Sequence, residues 1–217
     1  MHCSRFLRMN TGDGLTATSG KGSFFKGTII EIKKNRVAVE IHEITTQARP
    51  NDIHIAIAPT KSIDRFEWFL EKATECGITK ITPLITFHSE RRKFNHDRSL
   101  RIVQSAAKQS LRAWFPKLMP VTTFEKICSD TDITNETSFI AHCQELGLPH
   151  LFNTMTAGKP VLLLIGPEGD FSEQEVALAR QKNFIEVSLG KNRLRTETAG
   201  LTGCQICYLK NELKKSP

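Results

Sequence analysis

Two short segments hold the residues whose types and spacing could do chemistry. The first is Gly166-Pro167-Glu168-Gly169-Asp170, and the second runs from Leu189-Gly190 through Arg195, Thr196, Glu197 and Thr198 to Ala199. Glycines here serve a purpose. Gly166, Gly169 and Gly190 let the backbone approach a flat ligand closely and take φ values that other residues resist. The edge of a purine could then bond main-chain N–H and C=O groups. Leu164, Val187, Leu189 and Leu194 could cover its faces. A phosphate-binding loop would place a lysine after its glycines. This one places Glu168 and Asp170 there, which disfavours phosphate and suits a ligand bearing a cation.

The surrounding sequence supplies the elements that must position these loops. Val161 to Ile165 is purely apolar and ends in a Gly/Pro cluster, as a strand buried on both faces does. Ser172 stands three residues before Glu175, the spacing of a capping box, and opens a helix with Val176, Leu178 and Ala179 on its apolar face. Ile185 to Leu189 is a second short strand ending at Gly190. These two parallel strands are expected to finish side by side. The crevice beyond strand carboxyl ends is where ligands sit in open α/β sheets.

GPEGDFSEQE followed by LGKNRLRTETA resembles the RsmE family of 16S ribosomal RNA uridine methyltransferases, of the SPOUT superfamily. The likeness extends through Trp68 to Leu84 and Ser105 to Arg112. The resemblance implies an α/β fold: a SPOUT-type knotted parallel sheet flanked by helices, over residues 51–217. It implies a small PUA-like β-barrel that binds RNA over residues 1–48. It also implies S-adenosylmethionine as cofactor, no metal, and a homodimer with cofactor sites near its interface. Carried onto this chain, the cofactor set is Leu164, Gly166, Glu168, Gly169, Val187, Leu189, Gly190, Leu194, Thr196 and Ala199. His142, directly after a strand, falls in a loop that contributes to the cofactor cradle, although a lone histidine there is more often structural.

Methylation of uridine N3 must first deal with the proton on that nitrogen. Negative charge then spreads onto the uracil carbonyl oxygens. A guanidinium stays charged and offers a fork of donors, so it stabilises such charge well. Arg195 is the candidate for that role and Glu197 for the proton acceptor. The structural alternative is that Arg195 is spent in an ion pair with Glu197 or Glu168.

The bulk properties agree with an RNA partner. Thirty Lys and Arg against 23 Asp and Glu give a formal net charge of +7 and a pI near 9.2, which favours a polyanion. Arg5, Arg8, Arg91, Arg92, Gln109 and Arg112 are the candidate RNA contacts; a solvated face is the bland reading of the same cations. No apolar run is long enough to span a bilayer and the first residues lack a signal-peptide core, so a cytoplasmic protein is expected. The six cysteines are expected to be free thiols, and Cys204-x-x-Cys207 lies in a helical pattern without a second ligand pair.

In chain order, a hairpin turning at Asn35 is expected in the first domain. His2 to Arg8 with Gly12-Asp13 resembles the family's early motif. Family members carry further residues before it, including a first strand, so either a shortened N-terminus or a barrel lacking a strand is expected. The strand Ile53 to Ala58, a helix from Ile63 to Cys76 capped by Ser62, and a strand from Ile78 to Leu84 make a first βαβ unit. A helix from Asp97 to Ala113 presents Ile102, Ala106 and Gln109 inward. A short helix spans Val121 to Cys128 and a strand Ser138 to His142. The last helix spans Thr196 to Leu213, with Leu201, Cys204, Ile206 and Leu209 on its buried side. Two rivals remain at this point: a SPOUT methyltransferase acting on another RNA, and a non-catalytic RNA-binding or ribosome-assembly protein. An α/β nucleotide enzyme unrelated to RNA is a third.

Overall fold

A computed structural model describes residues 9–34, 36–129 and 137–213 of the 217. Arg5, Arg8, Cys3 and the His2 to Arg8 motif lie outside the described residues. The chain divides into two compact units, residues 1–49 with 111–115, and residues 50–110 with 116–217.

The first unit is an antiparallel sheet of three strands, β1 (Gly14–Thr18), β2 (Ser23–Lys33) and β3 (Arg36–Thr46), in the order β1-β2-β3. Irregularities between Lys26 and Gly27 and between Ile29 and Glu31 break the β2–β3 register. At Gly27 a Cβ would sit 2.1 Å from the Glu40 carbonyl oxygen, so only glycine fits this close approach. Segment 111–115 returns to this unit. Trp114 forms an antiparallel bridge with Lys21, and its indole N–H donates to the Gln47 carbonyl at 3.0 Å.

The second unit is a seven-stranded sheet, and every pairing in it is parallel. Its strands are β4 (Ile53–Ile57), β5 (Lys80–Ile85), β6 (Lys117–Leu118), β7 (Thr122–Thr123), β8 (Thr137–Ala141), β9 (Val161–Ile165) and β10 (Ile185–Val187). The order is β10-β8-β9-β4-β5-β6, with β7 also on β5. The helices are α1 (Ile63–Glu75), α2 (His96–Gln109), α3 (Phe124–Ser129), α4 (Leu151–Thr154), α5 (Glu173–Gln181) and α6 (Thr196–Leu213). All five residues of β9 are buried, and their alternation divides them between two cores. Val161, Leu163 and Ile165 pack with α1 and α6 residues; Leu162 and Leu164 pack with α3 and α5 residues. The sheet is therefore covered on both faces, as an all-parallel sheet requires.

Several sequence expectations need correction. β9 and β10 are not neighbours, because β8 lies between them and pairs with both. The second helix stops at Gln109: Leu111 takes a φ of 52° and the chain leaves for the first unit. Gln109 is exposed, and Val103 and Ala107 take the inner side with Ala106. The short helix begins at Phe124, after a two-residue strand. Leu209 is 54% exposed. The buried side of α6 is instead Gly200, Gly203, Cys204, Cys207 and Asn211. Ser62 occupies the N-cap of α1 without a side-chain capping bond, whereas Ser172 and Glu175 form the full capping box of α5. Cys207 is buried, and desolvation pushes its thiol up to about 12, so it is an inert core residue. Among the described residues no His, Cys, Asp or Glu cluster could hold a metal, and no helix is long and apolar enough to cross a membrane.

Candidate active site

Since β8, β9 and β10 run parallel, their carboxyl ends open on one side of the sheet. There they enclose a cavity of about 430 Å³. β8 contributes Ala141, His142 and Cys143; the turn after β9 contributes Ile165 to Glu168 and Asp170. The chain after β10 supplies Val187 to Gly190 and Asn192 to Glu197, Ala199 follows from α6, and Arg65 comes from the first turn of α1.

Local hydrogen bonds fix each wall. In the turn after β9, the Asp170 N–H donates to the Pro167 carbonyl at 3.0 Å and Asp170 takes a φ of 62°. Its carboxylate accepts the N–H of Phe171 and that of Cys143, each at 2.8 Å. Asp170 therefore fastens the β8 loop to the β9 loop and does not serve as a free counter-charge. Glu168 accepts the Lys61 N–H at 3.0 Å. After β10, the Ser188 hydroxyl donates to the Gly190 carbonyl at 3.0 Å and accepts the Gly190 N–H at 3.1 Å. Gly190 takes a φ of 134° while a Cβ there would meet nothing within 4 Å. The backbone conformation, not crowding, asks for glycine.

The ionisable groups are sorted by these walls. Glu197 is 7% exposed, and its Oε1 stands 3.9 Å from Arg65 Nε, within ion-pair range but beyond a hydrogen bond. Arg195 is exposed at the cavity and its guanidinium has no ion pair among the described residues. His142 is buried. Its Nδ1 accepts the Gln144 N–H at 3.2 Å, which leaves Nε2 to donate to Glu186 Oε2 at 3.0 Å. Arg180 bonds both oxygens of Glu186, at 2.7 and 2.9 Å, and holds that carboxyl below its ordinary range, with His142 adding to the effect.

The lining suits one kind of ligand. Ala141, Ile165, Val187, Leu189 and Ala199 offer apolar surface for a flat ring. Three arginines and three acids share the same walls. A triphosphate would want cations alone. A zwitterion with an additional cationic centre wants both signs, and S-adenosylmethionine is such a molecule.

Known proteins point the same way. The RNA methyltransferase domain family matches residues 47–207. A ribosomal RNA small subunit methyltransferase E of Rickettsia conorii is 31% identical over 202 residues, 90% of this chain and 80% of that one. The chain belongs to the RsmE family of RNA methyltransferases. Among solved structures, a "probable rRNA-methyltransferase" of Porphyromonas gingivalis is 40% identical. It aligns with a TM-score of 0.90 over 99% of this chain and 91% of that one. A family member from Neisseria gonorrhoeae, solved bound to S-adenosyl methionine, is 27% identical. Its TM-score is 0.80 over 94% of this chain and 85% of that one.

Within this RsmE chain, Arg195, Glu197, Gly166, Glu168, Val187, Leu189, Gly190, Leu194, Thr196 and Ala199 all come together around the cavity. Leu164 does not: it alternates onto the opposite face of β9, into the core with Phe124 and Phe171. Gly169 is exposed, with its open side against His88. Arg91 donates to the Thr60 and Lys61 carbonyls, so its guanidinium is engaged in shaping a loop. Arg92 is exposed, Gln109 lies in a shallow groove beside Glu71 and Glu75, and Arg112 belongs to the first unit. Sequence reasoning missed Arg65 and Cys143 as parts of the site. Arg65 comes from a helix face some 130 residues from Glu197, and no local pattern marks it. Asp170 is expected there as an acid facing a cationic ligand, but its carboxylate is engaged by the Cys143 and Phe171 N–H groups.

Proposed function

We propose that the chain methylates N3 of a specific uridine in 16S ribosomal RNA, with S-adenosylmethionine as donor. The observation that carries the reading is the strand-end cavity, lined both by Arg195, which has no ion pair among the described residues, and by the buried Glu197. When bound, S-adenosylmethionine supplies a methyl group made electrophilic by its sulfonium. Gly166, Leu189, Gly190, Leu194, Thr196 and Ala199 would hold it, and main-chain groups of the loops would be available to its adenine. Glu168 offers a negative charge at the same wall. Arg195 directs its guanidinium charge to the uracil oxygen on which negative charge gathers. Glu197 accepts the N3 proton, and Arg65, with Nε 3.9 Å from its Oε1, helps to hold that side chain in place. Alignment of nucleophile and methyl group supplies much of the remaining acceleration.

The same reading makes residues 1–48 a PUA-like RNA-binding domain and residues 51–217 the methyltransferase domain. It brings a trefoil knot in the sheet's last segments, a homodimer, and action in the cytoplasm on the small ribosomal subunit. Mass mapping of ribosomal RNA nucleosides tests it. A strain lacking the gene is expected to lose one N3-methyluridine from 16S RNA, and the purified chain to restore it. Unchanged 16S RNA in that strain would reject the target, and a methyl lost from another RNA would favour a different substrate.

A further inference from the structure

Beyond the cavity, on the β5 side, the chain makes a tight turn at residues 86–89. The Thr86 N–H donates to Ser89 Oγ at 2.9 Å, the Ser89 N–H to the Thr86 carbonyl at 3.2 Å, and the two hydroxyls lie 3.0 Å apart. Thr86 and Ser89 are buried, whereas Phe87 and His88 between them are exposed, Phe87 at 68%. Such exposure of a large ring, on a turn this well tied, calls for a reason. The Phe87 N–H donates to Glu175 Oε1 at 2.8 Å, the carboxylate that also closes the capping box of α5. His88 Nδ1 donates to the Asp170 carbonyl at 3.1 Å, and its Cβ would lie 3.0 Å from a Cβ on Gly169. The two rings meet edge to face with 5.0 Å between centroids. Through His88, Phe87 is thus anchored to the same Gly166 to Asp170 turn that walls the cavity. It does not line the cavity itself. Exposed Arg92 and Lys93 follow within six residues.

We propose that Phe87, backed by His88, is a stacking platform for an unpaired base flanking the target nucleotide. A rigid aromatic ring next to exposed cations is the combination that holds single-stranded RNA, since every base offers a π face and every linkage a phosphate. The ring's position outside the cavity assigns it to a neighbour of the methylated base. The proposal rests on the reading that the substrate is RNA.

The experiment compares wild type with Phe87→Ala, Phe87→Leu and Phe87→Trp. The substrate is small ribosomal subunits from a strain lacking the gene, at saturating S-adenosylmethionine. Binding of a short unpaired RNA is followed in parallel by fluorescence anisotropy. The expected result is a KM for subunits raised about tenfold in Phe87→Ala and nearly as much in Phe87→Leu, with Phe87→Trp within about twofold of wild type. Cofactor affinity by calorimetry stays unchanged. A leucine that serves as well as phenylalanine, or an alanine without effect, overturns the platform. So does a changed sedimentation coefficient in Phe87→Ala, which would place the ring in a contact between copies. A wild type that binds RNA through Phe87 but transfers no methyl overturns the proposed function and upholds the platform.

Discussion

His142 Nε2 stands 3.0 Å from Glu186 Oε2, and the pair ties the end of β8 to the neighbouring β10 behind the cavity. The Gln144 N–H fixes which ring nitrogen carries the proton, so the imidazole is a donor to Glu186 and not a free base. Its place at the cavity is that of a wall.

The Glu186 end of that contact gives a pH dependence. Bonds from Arg180, then His142, hold the Glu186 carboxyl below its ordinary 4.5. A carboxyl with a lowered folded pKa adds stability above its unfolded pKa. That stability fades as pH falls through the folded value. Thermal melts of wild type and Glu186→Gln are expected to differ by about 2–4 °C at pH 7 and to converge only as pH falls well below 4.5, through the lowered folded value. A gap that stays constant down to acid pH would remove Glu186 as its cause.

Asp170 fastens two loops with one carboxylate, through the N–H groups of Cys143 and Phe171. Asp170→Ala leaves both donors unpaired and puts alanine at a φ of 62°. The expected cost is about 2–3 kcal/mol in urea unfolding, with S-adenosylmethionine binding weakened about tenfold by calorimetry. Asp170→Asn tolerates the same φ and keeps one acceptor, so it should lose less on both counts. Equal losses in the two variants would show that the carboxylate geometry does not hold the wall.

Arg195 has no ion pair among the described residues, while Glu197 is matched with Arg65. Arg195→Ala is therefore expected to lower kcat about 10²–10³-fold, the range for removing one donor aimed at developing charge. Cofactor affinity should stay within about twofold. Glu197→Gln should also lower kcat, because the proposed proton acceptor is gone. Near-normal turnover in Arg195→Ala would end its catalytic assignment.

How much of this was legible in the sequence follows from how local each signal is. The apolar run at Val161–Ile165 and the Ser172/Glu175 capping box announce themselves within ten residues, and both stand as expected. Which strand lies beside which is a long-range matter. Nothing near Ile185 says that β8 will insert between β9 and β10, or that Arg65 will meet Glu197. Leu164 was misplaced because a continuous apolar strand does not say which side chains face the ligand. On α6, glycine and cysteine occupy the buried side and Leu209 the exposed one. A hydrophobic pattern cannot show that a helix lies so close to a sheet that only small residues fit.

That closeness gives a last prediction. A Cβ on Gly200 would lie 2.6 Å from Ile57 Cδ1 and 2.8 Å from the Phe69 ring, both fully buried. At Gly203 the nearest atom is one methyl of Leu163, at 2.4 Å. Alanine gains about 1 kcal/mol over glycine in helix propensity, but overpacking a tight core costs about 1–3 kcal/mol. At Gly200 two side chains from different elements, β4 and α1, must move, so Gly200→Ala is expected to destabilise the fold. At Gly203 one leucine methyl can rotate aside, so Gly203→Ala should come closer to neutral. Because α6 begins with Thr196 and Glu197, the shift forced at Gly200 should also reach the cavity. Urea midpoints and S-adenosylmethionine affinities of the two variants check both parts. A Gly200→Ala protein as stable as wild type, with unchanged affinity, would mean that α6 has room to move off the sheet.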